Sequence, residues 1–235
     1  MEADFMYAVA KKFYDMVKNL KKYELANLNH KLPDNLPNWG IGFMYEKNEA
    51  GISCEKITYI TYNKNFGNFG KRLENHFFMR NKNGRRSSWR NHIARAFISK
   101  NGDDSDLFNL WHGNSNIRKA WTRGLKEGNK KYVMDKLLEY ENLVDTYLKK
   151  NFSFSILSCP SKEIQRLLRS RIIATLAQTK SIPISGNWLG NFAIDGELSK
   201  ISTNGIWNIE CAKGRILTDA DFVLLGELIE ANKED

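Results

Sequence analysis

Cysteine is scarce in this sequence. Cys54, Cys159 and Cys211 are its three cysteines, they lie far apart, and no CxxC pair occurs. An odd, scattered set argues against both a disulfide framework and a zinc knuckle, and it fits a reducing compartment. Long apolar runs are missing too: none approaches the roughly 18 residues needed to span a bilayer. Met1-Glu2-Ala3-Asp4 is acidic and leads into a mixed segment, unlike a secretory signal. These absences predict a soluble, cytoplasmic protein that makes no use of a membrane. Proline is limited to four residues, two of which, Pro33 and Pro37, punctuate one loop. No internal repeat or low-complexity segment interrupts the 235 residues, a length that suits one domain with extensions or one domain plus a small second one.

Acidic residues are missing where basic residues gather. The net charge is +9 and the pI about 9.3, a balance that favours polyanions, nucleic acid first. Residues 71–95 hold Lys71, Arg72, Arg80, Lys82, Arg85, Arg86, Arg90 and Arg95 against a single acid, Glu74. Residues 118–131 add Arg118, Lys119, Arg123, Lys126, Lys130 and Lys131 against Glu127 alone. Trp89, Trp111 and Trp121 interleave with these runs and have two readings, base stacking or core packing.

The hydrophobic pattern gives the elements. Residues 4–25 carry Phe5, Met6, Val9, Phe13, Met16, Val17 and Leu20 at helical spacing. Gly40–Lys47 and Lys56–Tyr62 read as two strands joined as a hairpin. Helices follow at Asn68–Arg80 and Ser88–Ser99. Residues 113–131 fit a loop or a helix. Tyr132–Lys149 is a long helix, Phe152, Phe154 and Ile156 alternate as a strand, and Ser161 caps a further helix. Gly205–Glu210 reads as a short strand, and Thr218 caps an acidic final helix.

Several strings in this order resemble the GIY-YIG endonuclease superfamily. Leu168-Arg169-Ser170-Arg171-Ile172-Ile173 followed by Asn187-Trp188-Leu189-Gly190 is similar to its C-terminal half. Tyr59-Ile60 with Lys64-Asn65, Lys71-Arg72-Leu73 with His76-Phe77, Ser87 to Ile93, Asn151 to Phe154, and Gly205-Ile206-Trp207-Asn208 extend the likeness from about residue 37 to about residue 210. The resemblance implies an α/β fold, a small sheet flanked by helices. It divides the chain into an N-terminal helical extension (1–36), the GIY-YIG-like domain (37–195) and an acidic C-terminal lobe (196–235).

The resemblance also implies a site. Tyr59, Arg72, His76 and Asn187 stand at catalytic positions and are expected on one concave basic face. Arg72 can grip a phosphate bidentately, and His76, four residues on, shares its helix face. Each has a plainer reading: Tyr59 as a strand aromatic, His76 as a satisfied histidine, Asn187 as a turn residue. Two positions depart from the family pattern. Gly42 replaces the first tyrosine, and Arg169 replaces the metal-binding glutamate. A guanidinium has no acceptor to offer a cation, and Glu163 lies about 120° away round the helix. No cofactor is expected with Arg169 there; Mg²⁺ or Mn²⁺ would serve an active enzyme.

The expectation is therefore a DNA-binding protein on a nuclease fold, cleavage absent or strongly impaired, with Lys71, Arg80, Arg85, Arg86, Arg90, Arg95, Arg118, Lys119 and Arg123 meeting the phosphate backbone. Full rescue of cleavage should need Gly42→Tyr as well as Arg169→Glu. The rival readings are an active metal-dependent endonuclease with a relocated carboxylate, and an interaction module that docks a protein partner.

Overall fold

The computed structural model describes residues 2–29, 31–47, 55–78, 87–102, 111, 127–179, 186–194 and 196–233. Its centre is an antiparallel sheet of β1 (Lys22–Glu24), β2 (Gly40–Glu46), β3 (Lys56–Tyr62) and β4 (Phe152–Ser158), in the order β1-β4-β2-β3. One face packs on α1 (Glu2–Val17), α5 (Lys162–Gln178) and α7 (Asp219–Ala231). The other packs on α2 (Phe69–Phe77), α3 (Ser88–Asn101) and α4 (Glu127–Asn151). The short α6 (Ser199–Asn204) adds Ile201 to that second core. This is the α/β arrangement predicted from the sequence. Residues of 1–36 and 196–235, such as Phe13 and Leu225, share one core with Phe43 of the sheet. Among the described residues no helix is long and apolar enough to cross a membrane.

The strands build two cores because their side chains alternate. On β2, Ile41, Phe43 and Tyr45 face α1 and α5, while Met44 faces α2 and α3. Gly40 and Gly42 lie on that second side, where Phe69 of α2 fills their space. A Cβ at Gly40 would sit 2.9 Å from the Phe69 ring, and one at Gly42 would sit 2.7 Å from Thr61 Cγ2. Tyr45 is on the opposite side, its hydroxyl against Ser155 at 2.9 Å and its pKa pushed up to about 12 by burial.

The long helix α4 begins at Glu127, ahead of the expected Tyr132, and two further assignments differ. The first helix stops at Val17, and Lys22–Glu24 pairs with the edge of β4, with Tyr23 stacked on Phe154 at 5.2 Å. Strand pairing there outweighs the helical pattern. Gly205–Glu210 is not a strand. Gly205, at φ +67, ends α6 in the left-handed region that glycine accepts. Beyond it the backbone gives β3 one hydrogen bond, Trp207 N–H to Thr58 O at 2.6 Å. The Asn208 side chain takes over the ladder: Ile60 N–H donates to Asn208 Oδ1 at 2.8 Å, and Asn208 Nδ2 donates to Ile60 O at 3.0 Å. An amide side chain thus blunts the exposed edge.

The expected caps are present: Ser161 Oγ accepts from Ile164 N–H, and Thr218 forms a capping box with Asp221. Asp221 also pairs with Arg171, and Asp219 meets Lys12 at 3.1 Å, so part of the acidity of α7 is used in docking onto α5 and α1.

A buried carboxylate ties the second core together. Glu46, 4% exposed, accepts from Trp188 Nε1 and Trp207 Nε1, each at 3.0 Å, and from the Tyr147 hydroxyl. Burial pushes its pKa up, while these donors pull it down. Lys56, its cross-strand neighbour, is pushed down to about 8 by burial. The two indoles meet at 5.3 Å. The Asn-Trp-Leu-Gly and Gly-Ile-Trp-Asn strings each deliver one tryptophan to this carboxylate.

His76 forms a second buried link. Fully enclosed, its ring bridges Thr61 Oγ1 at 2.7 Å and Ser87 Oγ at 2.6 Å, joining β3, α2 and the N-cap of α3. Burial holds its pKa well below the usual histidine value, and Arg72 and Arg90 push the same way.

Two measurements follow from these links. Glu46→Ala leaves three buried donors without an acceptor and should lower stability by about 3 kcal/mol or more. Glu46→Gln, which keeps acceptor oxygen, should cost less in urea unfolding followed by tryptophan fluorescence. An unchanged midpoint in Glu46→Ala would remove the clamp from the account. His76 stays neutral when folded but takes a proton when unfolded, so stability falls as pH drops below about 6.5. His76→Gln should flatten that limb by up to about 1.4 kcal/mol per pH unit; an unaltered slope would mean His76 is not the titrating group.

Candidate nucleic-acid interface

The outer edge of β3 faces a cavity of about 360 Å³. Tyr59, Tyr62 and Lys64 line it from the strand and the turn beyond, Arg72 from α2 and Arg169 from α5. Asn91 and His92 of α3 form another wall, and Asn208 and Glu210 close it. A neighbouring cavity of about 210 Å³ shares Tyr62, Lys64 and Arg72 and adds Lys71, Asn65 and Asn68. A third, of about 440 Å³, shares Asn91 and His92 and adds Arg95 and Glu197. Shared walls make the three one groove.

Two guanidinium groups set its electrostatics. The Arg72 guanidinium makes no hydrogen bond or ion pair among the described residues, and its buried Nε has no acceptor. Arg169 lies over the Tyr62 ring, Cζ 4.0 Å from the centroid, a cation–π contact that fixes the planar head. Its Nη2 donates to Glu210 at 3.0 Å, a carboxylate 71% exposed. Among the described residues lining the central cavity, Lys64, Arg72 and Arg169 outnumber the one carboxylate, Glu210. Unpaired donors under net positive charge suit an anion with several acceptor oxygens.

Of the residues singled out from sequence, Tyr59, Arg72 and Arg169 line the central cavity. Tyr59 is only 4% exposed, stacked on Trp89 at 4.8 Å, so the strand-aromatic reading describes its ring. His76 shares α2 with Arg72 but turns inward to its two hydroxyls, which makes it the satisfied histidine. Asn187 is exposed in a turn and does not line the groove. Its neighbour Trp188 goes to Glu46, and the amides lining the central cavity are Asn91 and Asn208.

Of the basic residues, Lys71 lines the groove and is exposed. Arg95 is 8% exposed and lines the third cavity. Arg90 is buried: it pairs with Glu141 at 2.8 Å and Asp145 at 2.5 Å and donates to His76 O at 3.3 Å, so it is not placed to meet a phosphate. Trp89 and Trp111 are core residues. Arg80, Arg85, Arg86, Arg118, Lys119 and Arg123 lie outside the described residues, with Trp121, the hairpin connection and most of 113–131.

Sequence reasoning passed over Tyr62, Asn208 and Glu210. The signal for Tyr62 was present: it lies three residues beyond Tyr59, hence on the other side of the strand. Asn208 was quoted in the Gly-Ile-Trp-Asn string but assigned to a strand.

Among the described residues, no unengaged carboxylate stands in the groove where the family resemblance implies a divalent-metal ligand. A hard cation needs several oxygen ligands. Among the described residues no group of three or more His, Cys, Asp and Glu converges to hold an ion. Glu210 is already engaged by Arg169. Glu163 is exposed in the first turn of α5, where the backbone there and Ser161 hold its pKa below the usual range. Gly42→Tyr is no simple restoration, since its Cβ would collide with Thr61.

A family model described as the GIY-YIG domain matches residues 6–233. No curated protein and no solved structure matches the chain. Since the match takes in α1, the whole sheet and α7, the chain belongs to the GIY-YIG domain family.

Proposed function

We propose that the protein binds DNA through its phosphate backbone in the Arg72–Arg169 groove and does not cleave it. The observation that carries this reading is the Arg72 guanidinium, unpaired among the described residues, beside a second guanidinium at the position where the resemblance implies a metal-binding carboxylate. Arg72 would grip two phosphate oxygens at once. Arg169, held flat on Tyr62, would supply a fixed positive charge nearby. Glu210, largely exposed, is free to swing away as the phosphate enters.

Hydrolysis needs an activated water and a stabilised leaving group. His76 is not available as a base at this groove, since both ring nitrogens are engaged and burial keeps the ring enclosed. Phosphate contacts alone discriminate little between sequences.

One observation favours the rival endonuclease: Glu210 is a carboxylate in the right groove. Its pairing with Arg169 counts against a role as metal ligand. The two readings disagree about Glu210→Gln. As a competitor for Arg169, Glu210 holds DNA off, and Glu210→Gln should tighten duplex binding about threefold at low salt. As a metal ligand, its loss would also remove any gain in duplex binding on adding Mg²⁺ or Mn²⁺.

Fluorescence anisotropy with labelled duplexes measures this. The same titrations should show Arg72→Ala weakening binding about tenfold and lowering the slope of log affinity against log salt by about 1. Undetectable binding of the unaltered protein at low salt would remove the nucleic-acid reading and leave the interaction module.

A further inference from the structure

The groove continues past the phosphate site to a surface that phosphate binding leaves unexplained. The turn between β3 and α2 carries Phe66, 66% exposed, between Asn65 and Asn68, which both line the second cavity. The Phe66 ring meets Trp39 edge to face at 5.9 Å. Lys162 Nζ lies 5.8 Å from the Trp39 ring centre. Lys64 and Lys71 line the adjoining cavity. An aromatic step is thus set among ammonium groups at the end of a cationic groove.

The turn is held firmly. Asn63 Oδ1 accepts from Gly40 N–H at 3.1 Å and from Gln165 Nε2 at 2.7 Å. Asn63 Nδ2 donates to Asn38 O at 2.6 Å and to Asn65 O at 2.7 Å. Gly67, at φ +68, donates its N–H to Asn38 O at 3.1 Å. Phe66 therefore projects from an ordered support, and little side-chain or backbone freedom remains to be lost on binding.

The polar floor of the same cavity points to a particular chemistry. Asn75 lines it, and the Asn75 Oδ1 is buried with no hydrogen-bond partner. A phosphate offers only acceptors and cannot satisfy it. A nucleobase offers amino and ring N–H donors on its edge and a flat π-face for stacking. In a duplex the π-faces are stacked even where a groove leaves an edge donor open, so only an unpaired base presents both.

We infer that the Phe66–Trp39 step is a stacking site for an unpaired nucleobase, so that the protein prefers DNA with a single-stranded extension to fully paired DNA. The inference rests on the phosphate-binding reading above. The backbone would lie along Arg72, Lys71 and Lys64, and the extruded or terminal base would rest on Phe66 with its edge towards Asn75. Stacking of this kind tolerates any base, because each has a π-face.

The test compares a blunt duplex with the same duplex carrying a short single-stranded extension, by fluorescence anisotropy at fixed salt. The unaltered full chain should bind the extended DNA about tenfold more tightly than the blunt DNA. Phe66→Ala should abolish that preference and leave blunt-duplex affinity unchanged, and Phe66→Trp should retain it. Arg72→Ala should weaken both DNAs alike. Equal affinity of the unaltered protein for the two DNAs, or equal weakening of both by Phe66→Ala, would overturn the inference while leaving phosphate binding intact. No binding of either DNA would overturn both.

Discussion

The buried Glu46 carboxylate is the constraint on which the rest of this molecule depends. A carboxylate inside a protein must find hydrogen-bond donors or lose its charge. Glu46 finds two indoles and a phenol, drawn from three segments far apart in sequence. The end of β2, the last turns of α4, the Trp188 loop and the segment after α6 meet there.

From that clamp the geometry runs outward to the groove. Trp207 is fixed by its side chain on Glu46 and its backbone on Thr58. Asn208, the next residue, seals the open edge of β3 with its amide. Two residues further, Glu210 reaches Arg169, whose guanidinium lies on Tyr62. Four consecutive residues thus carry order from an enclosed acid to an open cationic surface. The departure at position 169 has a partner in Glu210, and the guanidinium is held by both a ring and a carboxylate. Gly42 is as settled: Phe69 and Thr61 fill the space a larger side chain would need.

Much of the fold was legible in the sequence, because caps and periodicity are local. Lys56–Tyr62, the Ser161 cap and the Thr218 capping box stand where the residues place them. What sequence left open was direction. Arg72 and His76 share one helix face, yet the long guanidinium reaches the groove while the short imidazole drops onto Thr61. Arg90 belongs to a basic run by composition, but two acids on α4 draw it inside. Tyr59 and Tyr62 lie on one strand, and only the packing of Trp89 against Tyr59 decides which ring is enclosed. The 205–210 segment misled because it lies against β3 while a side chain, and not the backbone, does most of the pairing.

On the proposed reading, a guanidinium stands in place of a metal ligand and the groove would hold a phosphate without hydrolysing it. Incubation of supercoiled plasmid with the unaltered protein and Mg²⁺ or Mn²⁺ tests this most directly, with Arg72→Ala as the control for the groove. The plasmid should remain supercoiled at protein concentrations that fully retard it in a gel. Nicking or linearisation by the unaltered protein, lost in Arg72→Ala, would contradict the claim and identify an active endonuclease.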